Sequence, residues 1–118
     1  MTETSLLDGT TLTDRVVLLG VADLAGRDET PTHAGQVVKT CNDALDGADV
    51  ETVGRLSEGE VAPTLSELEA EGALDGYRED ASPSGKGRPR YELAADREAV
   101  LGDLATDDRV ATLVERVR

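Results

Sequence analysis

LSEGEVAPTLSELEAEGALDGY, Leu56 to Tyr77, carries the best-marked helix start in the chain and a clear stop. Ser57 and Glu60 have the S-x-x-E spacing of a capping box, and Leu56 and Val61 stand where a hydrophobic staple clamps the entering chain. A helix is therefore expected from Glu58. Val61, Leu65 and Leu68 fall on its inner side, and Gly72 is a natural stop. Pro63 removes one helical hydrogen bond and crowds the preceding turn, which predicts a bend. Capping needs no function, and it accounts for the Leu56, Ser57, Glu60, Val61 cluster in full.

Two helices are expected upstream. Thr13 is placed to cap a segment whose residues Val16, Val17, Leu18, Leu19, Val21, Ala22 and Leu24 are apolar nearly all round until Gly26, the pattern of a central helix. In ETPTHAGQVVKTCNDALDG, Thr30 is placed to cap and Pro31 to occupy the first helical position. Val37, Val38, Cys41, Ala44 and Leu45 then give one core face, and Gly47 ends it.

Downstream the pattern changes. ALDGYRED, ASPSGKG and RPRYELA read as a strand, a turn-rich loop and a second strand, with Tyr91 and Leu93 alternating toward one face. Leu74 and Tyr77 have opposite parity, which predicts a bulge at Gly76. From Asp96 a helix carries Val100, Leu101 and Leu104. A last one, capped by Thr106, carries Val110, Leu113, Val114 and Val117 at i, i+3, i+4, i+7. That stripe either closes the chain's own core or forms a homodimer interface.

The order helix, helix, capped helix, hairpin, helix, helix is mainly α with a small β-hairpin, an α+β arrangement. It is the layout of a winged helix-turn-helix with an additional C-terminal helix. The expected division is a flexible segment 1–12, a winged-helix domain 13–105 with its wing at about 74–94, and a C-terminal helix 106–118.

Charge sharpens this reading. The 118 residues hold 25 Asp and Glu against 12 Lys and Arg, a net charge of −13. Helical apolar spacing throughout makes the acidity a solvated surface rather than a mark of disorder. The lysine-poor, aspartate-rich profile resembles proteins of salt-accumulating haloarchaea. In molar salt the Debye length is only about 3 Å, so the net charge does not exclude nucleic acid. The cations concentrate in the hairpin, at Arg78, Lys86, Arg88 and Arg90. Gly85 and Gly87 allow close backbone approach there, and Pro89 stiffens the return strand.

Other chemistry finds little footing. One cysteine, Cys41, excludes an internal disulfide, and with one histidine, His33, makes no zinc site. Both read as structural residues, with no general base at a useful spacing. No run approaches the roughly 18 apolar residues of a membrane span, and MTETSLLDGT has no signal-peptide pattern. A cytoplasmic, non-enzymatic protein without cofactor, metal or small-molecule substrate is expected.

LSEGEVAPTLSELEAEGALDGY, followed by GKGRPRYEL and DREAVLGDL, resembles the C-terminal winged-helix domain of the archaeal origin-recognition and cell-division-control replication initiators. VVLLGVADLAG and ETPTHAGQVVKTC fit its first two helices in order and spacing. The resemblance implies duplex DNA as partner, with the wing on the minor groove and backbone and the third helix near the major groove. Lys86, Arg88, Arg90 and Arg78 are the expected contacts. The chain departs from the family in two respects. It has no G-x-x-x-x-G-K-[ST] to cradle phosphates, so the ATPase activity is not carried over. Its third helix turns Glu60, Pro63, Glu67 and Ala70 outward, where the family usually has arginines. Thr64 and Ser66, flanking that face, are the remaining polar contact candidates. Three roles are compatible with the sequence: a stand-alone DNA-binding protein of replication initiation or transcriptional control, an initiator paralogue that has lost its ATPase, and a protein-interaction module whose acidic third helix faces a basic partner.

Overall fold

A first helix with no polar face has to be surrounded, and the chain folds accordingly. In a computed structural model, which describes residues 10–46, 55–78 and 89–117, the elements are α1 Leu12–Gly26, α2 Ala34–Asp46, α3 Glu58–Ala70, β1 Leu74–Arg78, β2 Pro89–Leu93, α4 Arg97–Leu104 and α5 Asp108–Val117. Helix α1 touches every other helix and β2. Val16, Val17, Leu18, Leu19, Val21, Ala22 and Leu24 are all buried along it. At Gly20 a side chain would collide with the Cys41 sulfur, so glycine sets the close approach of α1 and α2.

The winged-helix order is present, with caps that differ from those expected at four of the helix starts. Helix α1 starts one residue before Thr13 and is capped by Thr11. The Asp14 amide donates to Thr11 Oγ1 (3.1 Å), and the Thr11 amide donates to Asp14 Oδ2 (3.0 Å). The pair is a reciprocal capping box in which Asp takes the place of the usual Glu. Helix α2 starts at Ala34 rather than beside Pro31. The Thr32 amide donates to the Tyr91 carbonyl (2.8 Å) and the Tyr91 amide to that of Thr32 (2.7 Å), so the expected first turn is spent on a β-bridge. Helix α3 begins at Glu58 as expected, but Ser57 Oγ makes no backbone cap and donates to Glu60 Oε1 (3.1 Å). At α5 the cap is Asp107, whose Oδ1 accepts from the Arg109 amide (2.9 Å), while the Thr106 hydroxyl donates to the Asp103 carbonyl.

Helices α1 and α3 stop in the same way. After α3, the Gly72 amide donates to Glu69 O (3.0 Å) and the Ala73 amide to Leu68 O (2.9 Å), with Gly72 at φ +86°. This is a Schellman motif with glycine at its left-handed position. Helix α1 ends in the same pattern, but Asp28, at φ +59°, takes that position and Gly26 is only the last helical residue.

Strands β1 and β2 pair antiparallel from Leu74 opposite Leu93 to Arg78 opposite Pro89 in unbroken register. The bulge expected at Gly76 is absent. Simple alternation suffices, because Leu74 points into the core (2% exposed) and Tyr77 outward (47%). The stripe of α5 also has a settled place: Val110, Leu113 and Val114 are buried in the chain's own core, where α5 packs on α1 and α4, and Val117 is half-buried beside them. Those residues are spent inside the single chain and do not form the free intermolecular stripe considered above. Arg97 ties this end together, its Nε donating to Ala22 O (2.8 Å) and Nη2 to Val117 O (2.6 Å). No described helix is long and apolar enough to cross a membrane.

Candidate nucleic-acid interface

The entry into α3 is fixed by one buried side chain. Asn42 Nδ2 donates to Leu56 O (2.9 Å) and its Oδ1 accepts from the Leu56 amide (2.8 Å). The amide of Asn42 thus pairs with backbone as a strand would, satisfying both groups of Leu56 in the interior. Sequence inspection missed this residue, and a lone Asn among the apolar positions of α2 was the available signal.

Helix α3 then lies with Val61, Leu65 and Leu68 fully buried, while Glu60, Pro63, Glu67 and Ala70 face solvent, as its periodicity predicts. Thr64 departs from expectation. It is only 7% exposed and its hydroxyl donates to the Glu60 carbonyl (2.8 Å), so it lines the inner edge instead of offering a polar contact. Ser66 is exposed, and its hydroxyl lies 3.3 Å from that of the buried Tyr91, linking α3 to β2. Helix α3 contains no Lys or Arg.

The hairpin places its residues by parity. Leu74, Gly76, Tyr91 and Leu93 form its inner face. Asp75, Tyr77, Arg90 and Glu92 form the outer one, with Arg90 opposite Tyr77. The Tyr77 hydroxyl donates to Glu92 Oε1 in a short bond, and this bond to a carboxylate is the main reason the phenol titrates above its ordinary range. Arg90 is half-exposed, and Arg78 ends β1 opposite Pro89. Lys86 and Arg88 lie outside the described residues. Of the expected contact set, the described structure therefore puts Arg90 on the outer face of the hairpin and Arg78 at the last position of β1, keeps Ser66 at the surface of α3, and turns Thr64 inward.

A pocket of about 260 Å³ opens beside the first half of β2, lined by His33, Ala34, Glu58, Ala62, Pro89 and Tyr91. It sits where the starts of α2 and α3 meet β2. Elsewhere the titratable groups are structural. Burial, with Asp23 adding to it, pushes the Cys41 thiol up to about 12, leaving it protonated at neutral pH. The Asp107 carboxyl is held well below the usual carboxylate range, chiefly by hydrogen bonds from Arg109 and also from Arg15 (2.6 Å), which outweigh its burial. Among the described residues no group of His, Cys, Asp and Glu is arranged to hold a metal ion.

No family model and no curated protein matches the chain. Its fold does match a solved structure, that of the Aeropyrum pernix ORC1 protein in complex with DNA, with a TM-score of 0.70 and 24% identity. The match covers 87% of this chain and 26% of that one, so this chain spans about a quarter of the ORC1 protein's length. With five helices and an antiparallel hairpin among the described residues, the chain has a winged-helix-like α+β fold shared with part of that protein.

Proposed function

We propose that this chain is a non-enzymatic DNA-binding protein that holds duplex DNA mainly through its hairpin, with Arg88 and Arg90 as principal contacts and Lys86 and Arg78 beside them. The observation that carries the reading is the clustering of cations in the one hairpin of a winged-helix-like fold, in a chain otherwise dominated by acid. Two further points support it. The fold is shared with part of an ORC1 protein solved on DNA, and LSEGEVAPTLSELEAEGALDGY with GKGRPRYEL resembles the winged helix of archaeal origin-recognition initiators. The role lies in replication initiation or transcriptional regulation.

The energetics follow from the composition. If the protein works in molar salt, counterion release contributes little, because observed affinity falls steeply with log salt for each phosphate contacted. Affinity then rests on direct hydrogen bonds from arginine and on groove shape. An acidic α3 near phosphates is mostly repulsive, which leaves the hairpin as the main contact and reduces base reading.

The test is duplex binding in near-saturating KCl, using origin and promoter fragments, for the wild type and for Arg88→Ala combined with Arg90→Ala. Loss of two charge-assisted contacts should weaken binding by about a hundredfold. A wild type that binds none of these duplexes, or a double variant that binds as well as wild type, rejects the reading.

A further inference from the structure

We propose that the pocket beside β2 receives an arginine side chain presented by a basic segment of a partner protein. Its volume, about 260 Å³, lies below the roughly 300–1,000 Å³ of typical small-molecule sites and suits one long side chain. Its lining has two chemistries. Ala34, Ala62 and Pro89 give apolar walls, and Tyr91 contributes an aromatic ring whose hydroxyl is already engaged by Ser66. Glu58 and His33 stand at its polar side. The Glu58 carboxylate and the His33 ring both lie close to Gly35, on the two sides of the starts of α2 and α3.

This combination selects for the occupant. A carboxylate beside apolar walls calls for a cation on an aliphatic stem, the shape of lysine or arginine. The carboxylate favours arginine over lysine, because a planar guanidinium pairs with it through two parallel hydrogen bonds. On the α3 side the surroundings agree in sign. Glu60 and Glu67 line the exposed face of α3 next to Glu58, and that helix has no cation to repel a basic segment. From the hairpin the described lining takes Pro89 and Tyr91.

The test is a titration of the full chain, followed by two-dimensional amide NMR, with a capped pentapeptide bearing one central arginine between glycines. The same peptide with uncharged citrulline is the control. Saturable shifts at Ala34, Ala62 and Tyr91 are expected, with about tenfold weaker binding for Glu58→Gln. Ala62→Leu, which fills the cavity and leaves every charge in place, should abolish the shifts. Glu58 is exposed, so Glu58→Gln keeps the fold and the test does not depend on the cavity variant alone. Shifts that map elsewhere, equal binding of the citrulline peptide, or wild-type affinity in Glu58→Gln overturn the proposal. Neither variant touches Arg88 or Arg90, so this outcome and that of the DNA test are read independently.

Discussion

Helix α3 and the hairpin after it are joined by one left-handed glycine, yet their chemistry runs in opposite directions. The helix is fixed from within: Asn42 clamps its entry, Val61, Leu65 and Leu68 anchor its inner face, and a Schellman motif closes it at Gly72. Its outer face is acid. The hairpin has a smaller anchor, through Leu74, Tyr91 and the bridge from Tyr91 to Thr32, and it holds four of the chain's 12 Lys and Arg. Position in a fold and chemical role are therefore separable. The element that a winged helix ordinarily offers to a groove is here firmly anchored but unsuited to phosphate, and the accessory element has the suitable charge.

The largest effect should come from loosening the fixed side. Asn42→Ala strands the buried amide and carbonyl of Leu56, which should cost about 3 kcal/mol in denaturant unfolding. If the loss is below about 1 kcal/mol, α3 is held by its apolar face and the clamp is incidental.

Asp107 serves as a reference that belongs to neither region. Its folded carboxyl titrates below the unfolded value of about 3.9, so the stabilisation is fully present above that pH and is lost as pH falls through the folded value. Asp107→Asn should cost about 1.5 kcal/mol at neutral pH, an effect that shrinks progressively below about pH 4. It should leave DNA and peptide binding unchanged. A pH-independent loss would show that capping geometry, not charge, is what Asp107 supplies.

The smallest change tests the joint itself. Gly72→Ala has open space around it but keeps φ +86°, and should cost about 1 kcal/mol through backbone strain alone. If the hairpin is placed by its own contacts, that loss of stability will appear without loss of DNA affinity. A larger fall in affinity than in stability would instead make the glycine turn part of the binding geometry.

Much of this architecture is legible from local pattern. The start of α3 at Glu58, its stop near Gly72, its outward Glu60, Pro63, Glu67 and Ala70, and the hairpin alternation at Tyr91 and Leu93 all follow from short-range periodicity and capping chemistry. The expected caps at Thr13, Thr30, Ser57 and Thr106 were less secure, because several nearby polar residues offer the same hydroxyl or carboxylate. Which one is used depends on partners distant in sequence. Thr32 is drawn into a bridge by Tyr91, and Asp107 is held by Arg15 across 92 positions. The inward turn of Thr64 has a local hydrogen bond but a tertiary cause, since the faces of α3 are set by what packs against them.

By itself the sequence determined the order of elements, the two faces of α3 and the place of the cations, because hydrophobic period, glycine and charge act over a few residues. Only the tertiary structure decided that the α5 stripe closes the chain's own core, that Asn42 fixes the turn into α3, and that His33, Glu58 and Tyr91 border one pocket. Those outcomes depend on which surfaces meet when the chain condenses around α1, and no window of sequence contains both sides of such a contact.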